Sequence, residues 1–145
     1  IVRRLVGSEM CIRDRQHTMQ NFCPVYRSEE KMLEGKNKLL SLLNDFKNIK
    51  INDQSLIWNT EVIEALELKN LLSQAIVSID SALNRKESRG AHSRIDYSKR
   101  DDKKWLKHSL IWANKYGKTE TRFRKVNLQT NSKEIKTIEP KARVY

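Results

Sequence analysis

Glycine, proline and cysteine are all scarce in this chain of 145 residues: four, two and two. Gly35, Gly90 and Gly117 stand isolated, so the chain has no glycine-rich phosphate loop and no signature of dinucleotide binding. Two prolines leave room for long helices. Cys11 and Cys23 show no metal-ligand spacing and read as free thiols, Cys11 as one of no consequence. No window approaches the roughly 18 consecutive apolar residues of a membrane-crossing helix. No signal-peptide pattern is visible, so a reducing compartment is the default expectation. Of three histidines, His92 and His108 lie sixteen positions apart with Asp96, Asp101 and Asp102 between them. That spacing matches no recurrent metal site. No motif pairs Cys23 with a histidine for nucleophilic catalysis.

What is present is charge. Hydrophobic residues make up 38% and charged residues 32% of the chain, the balance of a soluble, ordered, helix-rich domain. The net charge of +11 is unevenly spread. Residues 28–83 hold six bases and nine acids, whereas residues 84–114 hold nine bases and four acids. Residues 115–145 hold nine bases and three acids. The C-terminal half is therefore where an acidic partner surface, a membrane face or nucleic acid would be met.

The first residues look foreign. Gly7-Ser8-Glu9-Met10-Cys11-Ile12-Arg13-Asp14-Arg15 resembles a translated sequencing adaptor, and the chain begins with Ile1. Residues 1–16 are accordingly read as a non-native segment and set aside from the fold. The rest divides into a helical bundle over 17–92 and a polar loop, β-hairpin and extended strap over 93–145.

Ser28 is a fitting N-cap before Glu29 and Glu30. Met32, Leu33, Leu39, Leu40, Leu43 and Phe46 then recur at helical spacing to about Asn48, with Gly35 weakening the pattern. Residues 48–59 read as a connector whose Trp58 plugs the core. Thr60, a good N-cap with Glu61 next, opens a second helix with a broad apolar stripe from Val62 to Leu83, wide enough for two neighbours. Gly90 is read as its stop, in the left-handed position beyond the helix end. A first helix is left only Met19, Gln20, Phe22 and Val25, and is expected to be truncated. Trp105–Trp112 and Thr121–Leu128 alternate around a turn at 114–118 containing Gly117, which predicts a β-hairpin with Leu106, His108, Leu110 and Trp112 on one face. Trp58, Trp105 and Trp112 are expected to be packing groups. The tail 129–145, ending in Pro140 and Arg143-Val144-Tyr145, reads as a strap.

The densest polar stretch is Arg85, Glu87, Arg89, His92, Arg94, Asp96, Arg100, Asp101 and Asp102, with Gly90, Tyr97 and Trp105 interleaved. Arginine forks among carboxylates point to an ion-paired junction that fixes the helix end to the hairpin. Two other readings stand beside it. Arg89, His92 or Arg94 faces another domain's active site or cofactor; or the basic half contacts nucleic acid. Interleaved acids argue against a phosphate-tracking stripe.

Ordered motifs carry a resemblance. Met19-Gln20, Pro24-Val25-Tyr26-Arg27, Leu33-Glu34-Gly35, Trp58-Asn59-Thr60, Glu64-Ala65-Leu66-Glu67-Leu68 and Asn70-Leu71-Leu72 come first. Glu87-Ser88-Arg89-Gly90-Ala91-His92-Ser93-Arg94, Arg100-Asp101-Asp102, Trp105-Leu106-Lys107-His108 and Pro140-Lys141-Ala142-Arg143-Val144-Tyr145 follow. Over residues 18–145 the chain resembles the C-terminal domain of the succinate dehydrogenase and fumarate reductase flavoprotein subunits, on the succinate dehydrogenase side. Ser98 and Glu139 depart from the family, which often has proline at both positions. The resemblance implies a mainly α fold: a spectrin-like antiparallel three-helix bundle, its first helix truncated, with a small C-terminal β extension.

It also implies a parent enzyme that oxidises succinate to fumarate on covalent FAD and passes electrons to an iron–sulfur subunit and a membrane quinone. The implied partners are the FAD and capping domains of the same chain, the iron–sulfur subunit and the membrane anchor subunits. The implied location is peripheral, on the cytoplasmic face of a bacterial inner membrane or the matrix side of a mitochondrial one. The family's FAD motif, flavin-linking histidine, substrate-binding residues and proton-donating arginine lie upstream, so no catalytic, cofactor or metal residue is assigned here. The chain is expected to be a structural docking domain, inactive alone and not binding nucleic acid. A stand-alone basic module for nucleic acid or an acidic protein, and a helical adaptor or assembly factor, are the alternatives.

Overall fold

A computed structural model describes residues 8–132 and 134–141, with side chains from Cys11 onward. Helix α1 runs Ser8–Phe22, α2 Glu29–Asp45 and α3 Thr60–Asn84. A short 3-10 turn, Phe46–Asn48, extends α2. Strand β1 (Tyr26–Arg27) precedes α2, and β2 (Ser93–Arg94) follows α3. A one-turn helix α4 (Asp102–Trp105) leads into strands β3 (Lys107–Ala113) and β4 (Thr119–Lys125).

The three long helices all pack on one another, in antiparallel order. Lys86, just past the end of α3, reaches Glu29 at the start of α2. The apolar stripes converge on Met32, Leu39, Leu68, Leu72, Ala75, Ile76 and Ile79, all buried. Each of the Met, Leu and Ile side chains among them contributes about 2 kcal/mol of burial. Gly35 permits the closest approach: a Cβ there would collide with the Cβ of Phe22 and lie 2.9 Å from Ile79 Cδ1. The glycine that weakens the helical pattern in the sequence is therefore what lets α1, α2 and α3 touch.

Helix α1 begins inside the segment set aside as foreign, and Cys11 is fully buried in the core beside Ile12 and Met19. Far from being inconsequential, this thiol is packed, and burial raises its pKa, with Asp14 and Asp45 adding to the effect. Trp58 does not plug the core. It is 90% exposed with a φ of +57°, at the tip of the connector beside the exposed Leu56 and Ile57. The cap of α3 is Asn59 rather than Thr60, its side chain accepting from Val62 N at 3.0 Å. Ser28 stands at the N-cap of α2 without a side-chain capping bond.

The hairpin pairs β3 and β4 antiparallel, Ser109 opposite Phe123 and Ile111 opposite Thr121. Its inner face rests on α3 and carries Ser109, Ile111 and Ala113, and His108, Leu110 and Trp112 share the outer one. Trp112 is half exposed and stacks with Arg122. Trp105 is the buried tryptophan, edge-on to Phe123 with centroids 5.8 Å apart. The turn at Gly117 tucks against Leu40, Leu43 and Ile76. Asp80, buried on α3, ties these layers together by accepting from Lys36 of α2 and Thr119 of β4. The strap's final Arg143-Val144-Tyr145 lies outside the described residues.

Candidate functional site: an ion-paired junction

Helix α3 ends at Asn84 with carbonyls that lack intrahelical partners, and the polar segment after it folds back over them. Arg94 does the capping. It is 1% exposed, and its Nη1 donates to the carbonyls of Ala82 at 3.0 Å and Leu83 at 3.1 Å. A guanidinium here also meets the negative end of the helix dipole. Its other edge forms a fork on Asp96, Nε to Oδ1 at 2.7 Å and Nη2 to Oδ2 at 2.6 Å. Asp96 in turn accepts the Glu29 amide at 3.0 Å, at the first turn of α2. One Arg–Asp pair thus bridges the C-terminus of α3 and the N-terminus of α2. The hydrogen bonds from Arg94 hold the Asp96 carboxyl well down, to about 2, against the opposing effect of burial.

A second centre forms around Glu87, which is 0% exposed. Its carboxylate accepts from Arg85 Nη1, from Arg89 Nε at 2.9 Å and Nη2 at 3.1 Å, and from the Asp101 amide at 3.0 Å. Burial alone would raise its pKa; the bonds from Arg89, the Asp101 amide and Arg85 outweigh that and hold the carboxyl below its ordinary value. Arg89 continues to Asp102 at 2.5 Å, and Asp102 to Arg100 at 2.9 Å. The Arg89 bond is the main reason that the Asp102 carboxyl is lowered. Arg100 then reaches the Pro140 carbonyl at 3.1 Å, which ties the strap to this network at that point. Arg85 spreads its remaining donors over the carbonyls of Trp105 and Lys107. Asp101 caps α4 through the Lys104 amide at 3.0 Å.

His92 links the junction to the segment between α1 and α2. Arg27 Nη1 lies 2.8 Å from His92 Nδ1, and an arginine only donates, so Nδ1 is the acceptor. The proton then sits on Nε2, which donates to the Arg85 carbonyl at 3.1 Å. Burial lowers the pKa of His92; the bond to the Arg85 carbonyl opposes this, and the charges of Arg27, Arg94 and Arg85 add to the lowering. The ring is held neutral. Gly90 is not the helix stop: it has φ +57° in a tight turn, Arg89 N to His92 O at 2.8 Å, that aims Arg89 and His92 in different directions.

All nine predicted residues meet in this one junction, in two linked centres. Arg27, Ser88 and Asp80 were not among them. Ser88 is a hub: its Oγ accepts the Arg94 amide at 2.8 Å and donates toward the Tyr97 carbonyl at 2.8 Å. A serine among arginines carries no sequence signal for that role. Arg27 had one, its place in Pro24-Val25-Tyr26-Arg27.

A cavity of about 410 Å³ opens beside the network, lined by Arg85, Arg89, His92, Lys107, His108 and Ser109 among others. Among the described residues no group of His, Cys, Asp and Glu is arranged to hold a metal ion, and no helix is long and apolar enough to cross a membrane. The described glycines are spent on a helix contact and two turns, none of them a strand-to-helix phosphate cradle, so these residues do not fit a flavin dinucleotide.

A sequence model described as the fumarate reductase flavoprotein C-terminus matches residues 13–145. The succinate dehydrogenase flavoprotein subunit of Rickettsia bellii is 48% identical over 130 residues, covering 90% of this chain and 22% of that protein. The fumarate reductase flavoprotein subunit of Haemophilus influenzae is 38% identical over 128 residues, covering 88% and 21%. Among solved structures, a variant of the E. coli quinol fumarate reductase chain FrdA superposes with a TM-score of 0.85 at 34% identity, over 97% of this chain and 23% of that one. The chain spans about a fifth of the length of the relatives it matches.

Proposed function

The chain belongs to the C-terminal family of the succinate dehydrogenase and fumarate reductase flavoproteins, and from that premise we propose that it serves as the structural and docking domain of a succinate-oxidising flavoprotein. Identity is higher to the succinate dehydrogenase subunit, 48%, than to the fumarate reductase subunit, 38%, which favours the succinate side. The parent would bind FAD through its upstream part, oxidise succinate to fumarate, and hand electrons to an iron–sulfur subunit and a quinone at a membrane surface. That upstream part would supply the catalytic and flavin-binding residues, and this chain none.

The observation that carries the docking role is the ion pairing of every arginine in the junction. Arg85, Arg89, Arg94 and Arg100 each hold a carboxylate as well as a main-chain carbonyl or a second acidic partner. Groups so committed are poor acids or bases; they are good at fixing one arrangement of helix ends, hairpin and strap. The same commitment disfavours the nucleic-acid reading, because most donors of these arginines are held by carboxylates and carbonyls and the paired acids interrupt any stripe along a phosphate backbone.

A chimaera tests the proposal. The corresponding C-terminal fifth of the Rickettsia bellii subunit is replaced by residues 13–145. Succinate-dependent dye reduction and flavin incorporation are expected in the chimaera and in neither piece alone. Dye reduction by the purified 145-residue chain overturns the docking reading. A folded chimaera that incorporates flavin but turns over only fumarate with a reduced dye overturns the succinate side.

A further inference from the structure

Charge does not balance around the cavity between α3, the Arg89 turn and the start of β3. Arg85, Arg89 and Arg100 share two carboxylates, Glu87 and Asp102. Asp101 is turned to the first turn of α4. Both shared carboxylates lie outside the cavity wall: among the described residues that line it there is no acid, while Arg85, Arg89 and Lys107 are all present. Donors remain unspent on that wall. Arg89 commits Nε and Nη2 to Glu87 and Asp102, and among the described residues its Nη1 meets no acceptor. Lys107 meets no carboxylate among the described residues; its Nζ rests 4.0 Å from the Phe123 ring centroid and 5.1 Å from that of Trp105. Ser109 Oγ accepts a long bond from Arg85 and keeps its own proton to give. Rings under an ammonium exclude water from one side of it, which strengthens its attraction for an anion on the other.

We propose that this cavity is an oxyanion-binding site, taking a carboxylate or phosphate group between Arg89 Nη1, Lys107 Nζ and the Ser109 hydroxyl. Its floor is rigid because Arg85 is pinned to the carbonyls of Trp105 and Lys107, so the donors are preorganised. The inference stands apart from the family reading and is tested on the 145-residue chain itself.

The chain is titrated with inorganic phosphate and, separately, with sodium acetate, which has the chemistry of an aspartate side chain. Backbone amide shifts of Lys107, His108 and Ser109 are followed by NMR, with sodium chloride at matched ionic strength as the reference. Saturable shifts confined to this wall are expected. Tighter saturation by phosphate assigns the site to phosphoryl ligands, and tighter saturation by acetate assigns it to carboxylates. Lys107→Met, which keeps an apolar stem over Phe123, is expected to weaken binding about tenfold, the effect of losing one charged hydrogen bond. Ser109→Ala removes the hydroxyl donor and serves as the second variant if Lys107→Met melts early; a weakening of a few fold is expected. Shifts that grow linearly and match those of chloride overturn the site. So does saturation that is unchanged in both variants.

Discussion

The bundle core and the junction at its end are held by opposite physics. Around Leu68, Leu72, Ile76 and Ile79 the contacts are apolar and non-directional, and stability follows the area removed from water. Around Glu87 and Arg94 two charged side chains are equally buried, and stability follows whether every donor finds its acceptor. The core therefore specifies that three helices associate; the junction specifies how their ends, the hairpin and the strap are arranged. A change of shape should be absorbed by the first and a change of hydrogen-bond geometry rejected by the second.

Arg94→Met gives the largest expected effect. It keeps length and apolar bulk but leaves the Ala82 and Leu83 carbonyls uncapped and Asp96 without its fork. Breaking a buried pair by removing one partner costs about 3–5 kcal/mol. Urea unfolding monitored by circular dichroism measures it, and a loss under about 1 kcal/mol would erase the contrast between the regions. Leu72→Met is the matched change in the core, where Leu72 is fully buried. A volume-conserving apolar swap costs less than about 1.5 kcal/mol. If it cost as much as Arg94→Met, the core would be the more specific of the two.

Acid separates the regions without mutation. Asp96 titrates at about 2 in the fold against an ordinary 3.8, so the stability it contributes is complete above pH 3.8 and disappears as the pH falls toward 2. Glu87 is lowered as well and loses its contribution in the same direction. His92 acts earlier. Its pKa is lowered from 6.5, so below that value the unfolded chain takes up a proton that the folded ring refuses, and stability falls with pH. The expected course is a shallow decline as pH drops below 6.5 and a steeper one below 4. Asp96 is partly exposed, so its share is about 1 kcal/mol after solvent screening. His92→Gln is expected to remove the shallow limb and spare the steep one, as thermal melts across pH would show.

The two regions also differ in how far they were legible. Helical periodicity exposed α2 and α3 because a stripe of leucines has one physical use. Alternating arginine and carboxylate marked the junction as ion-paired, and all nine residues named from the sequence meet there. The partners within it were not legible, because Arg94 could serve any carboxylate nearby, and only the folded path places Asp96 between two helix ends. Ser88 and Asp80 gave no pattern at all. Alternation gave His108, Leu110 and Trp112 one face of β3 but not which face packs, since both carry apolar groups: Leu110 and Trp112 outward, Ile111 and Ala113 toward α3.

Trp58 lies outside both regions and gives the smallest effect. A tryptophan beside a helix start reads as a core plug, yet this one is 90% exposed, and the connector is held by polar bonds. Asn59 Nδ2 donates to the Asp53 and Ser55 carbonyls at 2.8 and 3.0 Å, and Glu61 accepts the Asn52 and Asp53 amides. Those bonds impose φ +57° on Trp58, a region asparagine tolerates better than bulky residues. Trp58→Asn therefore removes almost no buried area and relieves some backbone strain. Stability is expected to stay within about 0.5 kcal/mol of the unmodified chain or to rise slightly. A loss above 1 kcal/mol in urea unfolding would place Trp58 in the core after all, and the connector would join the first region instead of standing outside both.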